Sequence, residues 1–459
     1  MTLRRILIAN RGEIAVRILR TCRRLGIETV LAVSDADAGS LPAQLADAAI
    51  RIGPAEPAAS YLDVAAVVGA ALAAGADAIH PGYGFLAENP RLARACGSAG
   101  LVFIGPTAEQ LDAVGDKLQA RGHAMAAGLP VVPGGQAPTP AAAAALAREI
   151  GWPVLIKAVG GGGGRGLRPV QAPAELAATV ERAMAEADAA FGDPRVYLER
   201  YIAPGRHVEV QLLGDGTRVI HLGDRDCSVQ RRYQKLLEEA PAPLLDADLR
   251  AEMRRAAVVL GDYLGYRGLG TVEFLVDCER GSFHFLEMNA RIQVEHPVTE
   301  AVCGLDLIAE QIAIAEGLPL RLAQDDIELT GHAIECRINA EDAADGFRPS
   351  PGTVTEAVFP AGPGIRVDTH VQAGTAVPPW YDSLLAKLIV SGRDRADALE
   401  RLRRALAHCH IGGVATTIGM HAELTAQAEF ISGGLDTAWC ARFLGEMAGR
   451  RMAAGGGGG

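Results

Sequence analysis

Two glutamates, Glu273 and Glu287, give the chain its clearest chemical pattern. They lie in TVEFLVDCERGSFHFLEMN, which is typical of two strands joined by a turn near residues 277–282. If the hairpin is centred on Arg280, the two side chains oppose each other at about 5 Å, where bare carboxylates repel by a few kcal/mol. A divalent cation such as Mg²⁺ or Mn²⁺ removes that repulsion, with Asn289 as a third oxygen ligand. The pattern therefore indicates a metal site, although surface glutamates on a solvated sheet face give the same pattern.

The segment NARIQVEHPVTE follows this pair directly. In an extended chain, Arg291, Gln293 and Glu295 share one face. A cation, an amide and a carboxylate that converge there form a pocket for a small oxyanion, with Glu295 placed as a general base. A surface ion pair is the alternative, and the neighbouring carboxylate pair favours the pocket.

The run GGGGGRG at 160–166 could lay backbone N–H groups over phosphates. Gly161, Gly163 and Gly166 fit the spacing G-x-G-x-x-G, but a dinucleotide-binding loop opens a helix and here LRPV follows. The expected structure is a glycine-rich hairpin after a strand that carries Lys157. A flexible linker is the alternative, which the position between two strands disfavours.

Lysine is rare in this chain. Of the 44 basic residues in 459, four are lysine and 40 are arginine, and the net charge is −11. A lysine supplies a compact point charge, so the four lysines are candidate oxyanion contacts: Lys117, Lys157, Lys235 and Lys387. The net acidity argues against non-specific nucleic-acid binding. Scattered cysteines, no apolar run of 18 residues and no secretory signal predict a cytoplasmic protein that does not bind or span a membrane.

Three sequence patterns predict the structural elements that position these residues. Strands and helices alternate between residues 3 and 105, which predicts a parallel, doubly wound layer that ends near residue 115. Thr139 and Pro140 begin a helix that leads into the strand, glycine loop, helix and strand of a small insert. The alternation in HVEVQLLG, RVIHLGDRD, TVEFLVD and FHFLEMN predicts an antiparallel sheet beyond residue 203. The fold class is therefore α/β.

Several longer strings resemble the biotin carboxylase family of the ATP-grasp superfamily, over about residues 3–445. They are IANRGEIA, IHPGYGFLAEN, FIGP, GDK, IKAVGGGGGRG, RDCSVQRR, EEAPAP, FLEMNARIQVEHPVTE and HAIECRINAED. The resemblance implies a Rossmann-like pre-ATP-grasp domain over 1–115, linker helices and a glycine-rich ATP-grasp lid over 116–202, an α+β ATP-grasp body over 203–330 and a biotin carboxylase C-terminal region over 331–450. A disordered tail is expected over 451–459, which ends in five glycines.

The resemblance also implies roles for individual residues. Those expected at ATP are Lys117, Lys157, Gly162, Gly163, Gly164, Glu199, Ile202, His207, Gln230, Tyr233, Glu273 and Glu287. Those expected to bind Mg²⁺ or Mn²⁺, as two ions, are Glu273, Glu287 and Asn289. Those expected at bicarbonate or biotin are Tyr83, Gly84, Lys235, Arg291, Gln293, Val294, Glu295 and Arg337. Of these, the ones expected to be catalytic are Lys235, Arg291, Glu295 and Arg337.

The implied reaction is the ATP-dependent carboxylation of biotin by bicarbonate. Glu295 deprotonates bicarbonate, which attacks the γ-phosphate of ATP and gives carboxyphosphate. Carboxyphosphate decomposes to CO₂ and phosphate, and the phosphate takes the proton from N1′ of biotin. Arg337 then holds the enolate oxygen while biotin captures CO₂. This is the first half-reaction of an acyl-CoA carboxylase such as the acetyl-CoA carboxylase of fatty acid biosynthesis.

The chain departs from the family pattern at two positions. Tyr233 stands where members commonly have His or Asn, and Arg200 replaces a common lysine. No lysine follows a methionine, so the chain lacks a biotinylation signal and requires a separate biotin carboxyl carrier protein. A carboxyltransferase subunit and a second copy of this chain, in a homodimer, are the other expected partners.

Two other functions are compatible with parts of the pattern. One is a different ATP-grasp ligase that joins a carboxylate to an amine, which RIQVEHPVTE and Arg337 disfavour. The other is a catalytically silent subunit that binds nucleotide and organises a complex. The presence of the complete set of charged site residues argues against a silent subunit.

Overall fold

A parallel sheet forms the N-terminal part of the computed structural model, which describes residues 2–160 and 167–455. Its strands run in the order β3-β2-β1-β4-β5. Their bounds are β1 Arg5–Ile8, β2 Glu28–Ser34, β3 Ala48–Gly53, β4 Ala78–His80 and β5 Val102–Phe103. The helices beside them are α1 Gly12–Leu25, α2 Leu41–Leu45, α3 Val64–Ala73 and α4 Pro90–Ser98, with a short 3₁₀ turn at Pro57–Ala59. The predicted parallel, doubly wound layer is confirmed.

Alternating side chains along β1 explain why helices cover both faces of this sheet. Ile6 and Ile8 pack in the same core as α1, whereas Leu7 packs in the core on the other face. A strand whose two faces are both buried reads as a continuous apolar run, as LRRILIA does after its two arginines. Helix α1 ends at Gly26, which adopts the left-handed conformation with φ of 70°.

Two capped helices lead from this layer to the rest of the chain. They are α5 Ala108–Gly115 and α6 Lys117–Ala126. Thr107 and Gln110 form a capping box at α5, and the Asp116 side chain accepts hydrogen bonds from the backbone N–H groups of the first turn of α6. Asp116 thereby fixes the start of α6 and places Lys117 at its first position.

A four-stranded antiparallel sheet with two helices forms the predicted insert. Its elements are β6 Gly134–Gln136, α7 Pro140–Ile150, β7 Val154–Ala158, β8 Leu167–Val170, α8 Pro173–Phe191 and β9 Val196–Arg200, and its strand order is β6-β9-β7-β8. The Thr139 hydroxyl accepts a hydrogen bond from Ala142 N at 3.1 Å, as predicted for the start of α7. Strands β7 and β8 pair antiparallel with Lys157 opposite Leu167, so the predicted glycine-rich hairpin is confirmed at its flanks.

An eight-stranded antiparallel sheet forms the floor of the molecule, in the order β14-β13-β10-β11-β12-β15-β22-β20. Its strands are β10 Gly205–Asp215, β11 Val219–Arg231, β12 Gln234–Ala240, β13 Arg267–Asp277, β14 Ser282–Asn289, β15 His332–Asn339, β20 Ile365–Thr369 and β22 Leu384–Gly392. The helices of this stretch are α9 Ala247–Tyr263, α10 His296–Cys303 and α11 Leu307–Ala315, with a 3₁₀ turn at Gln324–Asp326. The predicted antiparallel sheet is confirmed, and it continues across residue 330 into the C-terminal region.

The C-terminal region adds short strands and a helical cap. The strands are β16 Glu341–Asp342, β17 Arg348–Pro349, β18 Gly352–Thr353, β19 Glu356–Val358, β21 Ala376–Val377 and β23 His410–Gly412, and the helices are α12 Arg395–Ala407, α13 Ile418–Thr425, α14 Ala428–Ser432 and α15 Trp439–Gly455. The predicted start of the disordered tail, residue 451, is wrong because α15 extends to Gly455. The residues before the glycine run favour a helix, and the rest of the tail lies outside the described residues. Within the described chain, no helix combines the length and apolarity that a membrane span requires.

Candidate active site

A cavity of about 1750 Å³ lies between the parallel layer, the insert and the eight-stranded sheet. Most of the predicted site residues line it: Tyr83, Gly84, Lys117, Lys157, His207, Gln230, Tyr233, Lys235, Glu273, Glu287, Asn289, Arg291, Gln293, Val294 and Arg337. Glu295 is fully buried just beneath the cavity wall, while Glu199 and Ile202 are buried beside it. Gly162, Gly163 and Gly164 lie outside the described residues.

Glu273 and Glu287 are directly opposed across β13 and β14, as predicted. The turn itself pairs Asp277 with Ser282, a register that would leave the two glutamates misaligned by one residue. A bulge at Leu286 shifts the register between Glu273 and its neighbour and restores the pair. The direct opposition of the two carboxylates therefore depends on this bulge, which the prediction of a regular hairpin centred on Arg280 did not include.

The two opposed carboxyls have different surroundings. The Glu273 carboxylate lies 2.9 Å from Lys235 Nζ and 2.9 Å from His207 Nε2. Burial would raise the pKa of Glu273, but these two cationic groups outweigh it and hold the pKa well below its usual range. Burial and the charge of Glu273 raise the pKa of Glu287, which makes no ion pair within residues 2–160 and 167–455.

The donor set fits a hard divalent cation. Within the described chain, no cation is hydrogen-bonded to the Glu287 carboxylate, so its charge is available to a metal ion. Glu273 opposes it across the strand pair. Asn289 lies next to both, with its amide nitrogen 3.0 Å from Glu273 Oε1 and its oxygen 3.1 Å from Arg291 Nη2. An amide that turns over would present its oxygen as a third ligand. The predicted trio is therefore brought together, with Asn289 in the orientation of a hydrogen-bond donor.

Glu209 is a site residue that the sequence analysis missed. Lys235 Nζ lies 2.6 Å from Glu209, 2.9 Å from Glu273 and 2.7 Å from Glu295, so three carboxylates surround one ammonium. Burial would lower the pKa of Lys235, but these carboxylates raise it well above its usual value. The signal was available in HVEVQ, where His207, Glu209 and Gln211 alternate with valines and must share one face of β10.

The segment after the carboxylate pair is less extended than predicted. Arg291 and Gln293 are joined by a hydrogen bond of 3.2 Å from Arg291 Nη1 to Gln293 Oε1. The chain then turns, and Glu295 lies at the start of α10 with φ of −79° and ψ of 9°. The three side chains therefore do not share one extended face, because a turn intervenes before Glu295. Arg291 is held instead by Glu88, whose carboxylate accepts from Arg291 Nε at 2.8 Å.

Arg337 and Lys235 both reach Glu295. Arg337 Nη2 donates to Glu295 Oε2 at 2.8 Å, and Arg337 Nε donates to Glu238 Oε1 at 2.7 Å. Burial would raise the pKa of Glu295, but Lys235 and Arg337 outweigh it and hold the pKa well below its usual range. Burial raises the pKa of Glu238 to about 7 despite the guanidinium beside it. A carboxylate clamped between two cations is well placed to act on a small anion that competes for those cations.

The opposite end of the cavity carries the cations expected at ATP. Lys157 Nζ lies 2.5 Å from Glu199 Oε1, and Glu199 is buried. Burial lowers the pKa of Lys117, and the charge of Glu287 opposes this shift while that of Lys157 adds to it. Ile202 packs against Gly205 in the wall. The contacts of Glu199 and Ile202 with adenine stay a prediction.

Two further predicted groups line the wall. Gln230 Nε2 lies 2.7 Å from His207 Nδ1 and so links the two polar residues expected near the phosphates. Tyr233 occupies the tight turn between β11 and β12 with φ of 66°, next to Arg232 with φ of 49°. The side chain of Tyr233 is 44% exposed, which leaves it free at the cavity rim.

Tyr83 and Gly84 lie on the parallel layer and face the Arg337 end of the cavity. The Tyr83 hydroxyl donates a short hydrogen bond to Glu13, and its backbone carbonyl accepts from Asn10 Nδ2 at 2.7 Å. Gly84 has φ of 68°, and no atom of the described chain lies within 4 Å of the place where a Cβ would stand, so the loop presents open backbone to the cavity. A ring-shaped substrate could approach that backbone closely.

Comparison with known families covers almost the whole chain. Residues 2–111 match the model "Biotin carboxylase, N-terminal domain", residues 116–323 match "Carbamoyl-phosphate synthase L chain, ATP binding domain", and residues 335–442 match "Biotin carboxylase C-terminal domain". The chain is 52% identical over 438 residues to the biotin carboxylase of Nostoc sp., which covers 95% of this chain and 98% of that protein.

Solved structures give the same result. The biotin carboxylase of Campylobacter jejuni in complex with βγ-ATP matches with a TM-score of 0.93 and 45% identity, over 96% of this chain and 99% of that one. The biotin carboxylase domain dimer of Hydrogenobacter thermophilus 2-oxoglutarate carboxylase, with MgADP and bicarbonate, matches with a TM-score of 0.92 and 44% identity, over 96% and 98%. This chain belongs to the biotin carboxylase family.

Proposed function

We propose that the cavity divides the ATP-dependent carboxylation of biotin between its two ends. The observation that carries this proposal is the convergence of Lys235 and Arg337 on the buried Glu295, beside the opposed pair of Glu273 and Glu287. Such an arrangement supplies a base, cations for a small anion and ligands for a metal within one cavity. The enzyme is accordingly an ATP-dependent ligase that uses Mg²⁺ and receives biotin on a separate protein.

The nucleotide end holds the triphosphate. Lys117 and Lys157 would supply two ammonium groups to its oxygens, and His207 and Gln230 line the same cavity. The predicted role of Gly162, Gly163 and Gly164 at the phosphates is part of the same proposal. Glu273, Glu287 and Asn289 would hold Mg²⁺ or Mn²⁺, as two ions, which neutralise charge on the transferring phosphoryl group. Tyr233 at the rim would lie against the ribose.

The bicarbonate end activates the nucleophile. Bicarbonate would bind to Lys235, Arg291, Gln293 and the backbone at Val294, and in doing so take over cations that now hold Glu295. The pKa of Glu295 then rises because the cations that lowered it have a second anion to satisfy. Glu295 takes the proton from bicarbonate, and the freed oxygen attacks the γ-phosphorus of ATP to give carboxyphosphate and ADP.

The biotin end completes the transfer. Carboxyphosphate breaks its C–O bond to give CO₂ and phosphate, and the phosphate accepts the N1′ proton of biotin. Arg337 stabilises the enolate oxygen of the ureido ring, whose edge lies on the backbone at Tyr83 and Gly84. N1′ then attacks CO₂ and gives carboxybiotin. One oxygen of bicarbonate is thus found in the phosphate, and the carbon of bicarbonate is found in carboxybiotin.

We infer that the chain works as one subunit of a larger assembly in the cytoplasm. No lysine of the chain follows a methionine, so a separate biotin carboxyl carrier protein must deliver biotin and a carboxyltransferase must consume carboxybiotin, as in an acyl-CoA carboxylase. All eight cysteines are free thiols, which supports a reducing compartment. A homodimer is in keeping with the dimeric Hydrogenobacter domain. The division of the chain at residues 115, 202, 330 and 450 is part of the same proposal.

Phosphate release from ATP tests this function. The purified chain is assayed with Mg²⁺, with and without bicarbonate and with and without free biotin. We expect biotin and bicarbonate together to stimulate phosphate release well above either alone. Absence of that stimulation, with ATP still bound, would instead identify a silent nucleotide-binding subunit.

A further inference from the structure

Lys387 is a fully buried lysine outside the set of residues assigned to the reaction. It lies on β22, directly opposite Arg337 on β15 and Asp368 on β20. Its ammonium donates to the carbonyl oxygen of Val294 at 2.9 Å and lies 3.1 Å from Glu13 Oε1. Two of its three N–H donors therefore have partners, and these partners belong to two distant parts of the chain.

The first partner places Lys387 at the bicarbonate end. Val294 immediately precedes Glu295 and lies in the turn that starts α10. Its carbonyl points away from the cavity toward Lys387, so the hydrogen bond fixes the peptide that the anion and the base share. A backbone that rotated here would move Gln293 and Glu295 together.

The second partner leads to the biotin end. Glu13 lies in the first turn of α1, is almost fully buried and accepts hydrogen bonds from both Lys387 and the Tyr83 hydroxyl through one oxygen. Its other oxygen, Oε2, has no hydrogen-bond partner in the part of the chain that the structure describes. The path Val294–Lys387–Glu13–Tyr83 thus connects one substrate loop to the other, and Lys387 is its one member that does not line the cavity.

Burying an ammonium group in this space is energetically less favourable than burying an apolar side chain. Removing a charge from water is unfavourable unless its partners compensate it, and an apolar side chain would fill the same volume without that penalty. An arginine, which this chain uses for 40 of its 44 basic residues, would bring five donors to a site with two acceptors. The geometry is suited to a point charge that holds two groups at a fixed separation.

We propose that Lys387 is a positioning residue that keeps the bicarbonate loop at Val294 and the biotin loop at Tyr83 in register across the domain boundary. It touches neither substrate and acts through Val294 on one side and through Glu13 on the other. Because CO₂ must pass from carboxyphosphate to N1′ of biotin, the separation of these loops sets the reach of the transfer. This inference rests on the proposed carboxylation of biotin.

Kinetics of three variants test the proposal. Lys387→Met removes the ammonium, Glu13→Gln removes the charge on the biotin side, and the double variant Lys387→Met/Glu13→Gln removes both charges of the pair. We expect Lys387→Met and the double variant to raise KM for bicarbonate and for free biotin about tenfold each, because small misplacements of substrate-positioning groups have effects of this size or larger. Glu13→Gln should raise only the KM for biotin, and the KM for ATP should stay within twofold in all three.

A buried ion pair remote from the cavity serves as the matched control. Arg254 on α9 donates to the buried Asp224, and Arg254→Met/Asp224→Asn should lower stability without changing either KM. The proposal is overturned if the folded double variant keeps both KM values within twofold of the parent, or if the control raises them equally. If the Lys387 variants fail to fold, an unchanged KM for biotin in Glu13→Gln rejects it. A parent enzyme without biotin-stimulated phosphate release would reject the proposed function instead.

Discussion

At the nucleotide end of the cavity Lys157 contacts one carboxylate, Glu199, whereas at the bicarbonate end Lys235 alone contacts three. Lys117 makes no ion pair within the described chain, and burial lowers its pKa. The pKa of Lys235 is raised well above its usual value by the anions around it. The cations at one end of the cavity therefore have few carboxylate partners, and the ammonium at the other end is surrounded by them.

The difference matches the charge of the two substrates. A triphosphate with its metal brings several negative charges, so cations left without partners gain Coulomb energy when it binds. In the proposed mechanism bicarbonate, which carries one charge, displaces a carboxylate that is already bound. Its binding would then be coupled to the release of Glu295, so that the base becomes available when the substrate is present. We therefore expect the cations with few carboxylate partners to favour a highly charged ligand. We expect Lys235, with its three carboxylates, to favour a small anion that can take the place of one of them.

Replacement of Glu295 by glutamine gives the largest expected effect. Glu295→Gln keeps the shape of the side chain and removes the base, and general-base catalysis contributes about 10²–10⁴-fold. We expect phosphate release with bicarbonate and biotin to fall by at least about 10³-fold, while the affinity for ATP, which depends on the other end, stays within twofold. Phosphate release and calorimetric titration with ATP measure the two quantities. Turnover near that of the parent would remove Glu295 from the role of base.

A matched pair of lysine variants tests the comparison on stability. Lys235→Met leaves Glu209, Glu273 and Glu295 buried without their ammonium, and a broken buried ion pair costs about 3–5 kcal/mol. Lys117→Met breaks no ion pair within the described chain and removes a partly desolvated charge, so the free energy of unfolding should change by less than about 1 kcal/mol. Urea denaturation of the two variants without ligands gives both values.

For ATP affinity we expect the order of the two effects to be reversed, with a larger loss in Lys117→Met than in Lys235→Met. Lys117→Met should weaken ATP binding about tenfold, because it removes a cation that awaits the phosphates. Equal losses of stability in the two variants would show that the ends of the cavity do not differ in the way their ion pairs indicate.

The sequence was sufficient for the parts of the site that are local in the chain. The opposition of Glu273 and Glu287 follows from strand alternation and one turn, although the bulge at Leu286 was needed to make it correct. The strands, the helix that begins after Thr139 and the glycine hairpin follow from periodicity and from capping residues.

Contacts between distant segments could not be predicted in this way. The partnership of Arg337 with Glu238 joins residues 99 positions apart, and it exists because β12 and β15 are neighbours in the sheet. The same holds for Lys387 and Glu13, which come from opposite ends of the chain. Sequence spacing assigns residues to a face of a strand, but strand order decides which faces meet.

The smallest expected effect concerns Tyr233, at the rim of the nucleotide end. Arg232 and Tyr233 form a two-residue turn with φ of 49° and 66°, a left-handed conformation that asparagine tolerates better than tyrosine. Tyr233→Asn should therefore raise the free energy of unfolding by about 0.5–1 kcal/mol, since the left-handed region costs a bulky residue about 1–2 kcal/mol. The affinity for ATP should change less than about threefold, because the cations at this end are untouched.

Tyr263 provides the matched control for this prediction. It is exposed to a similar extent but ends the α-helix α9 with ordinary helical geometry, so Tyr263→Asn should not stabilise the protein. Thermal unfolding and ATP titration of both variants separate the two contributions. If Tyr233→Asn instead weakened ATP binding tenfold, as loss of a phosphate cation would, the contact of Tyr233 with the nucleotide would be as strong as that of a lysine. The lysines would then not account alone for the difference between the two ends.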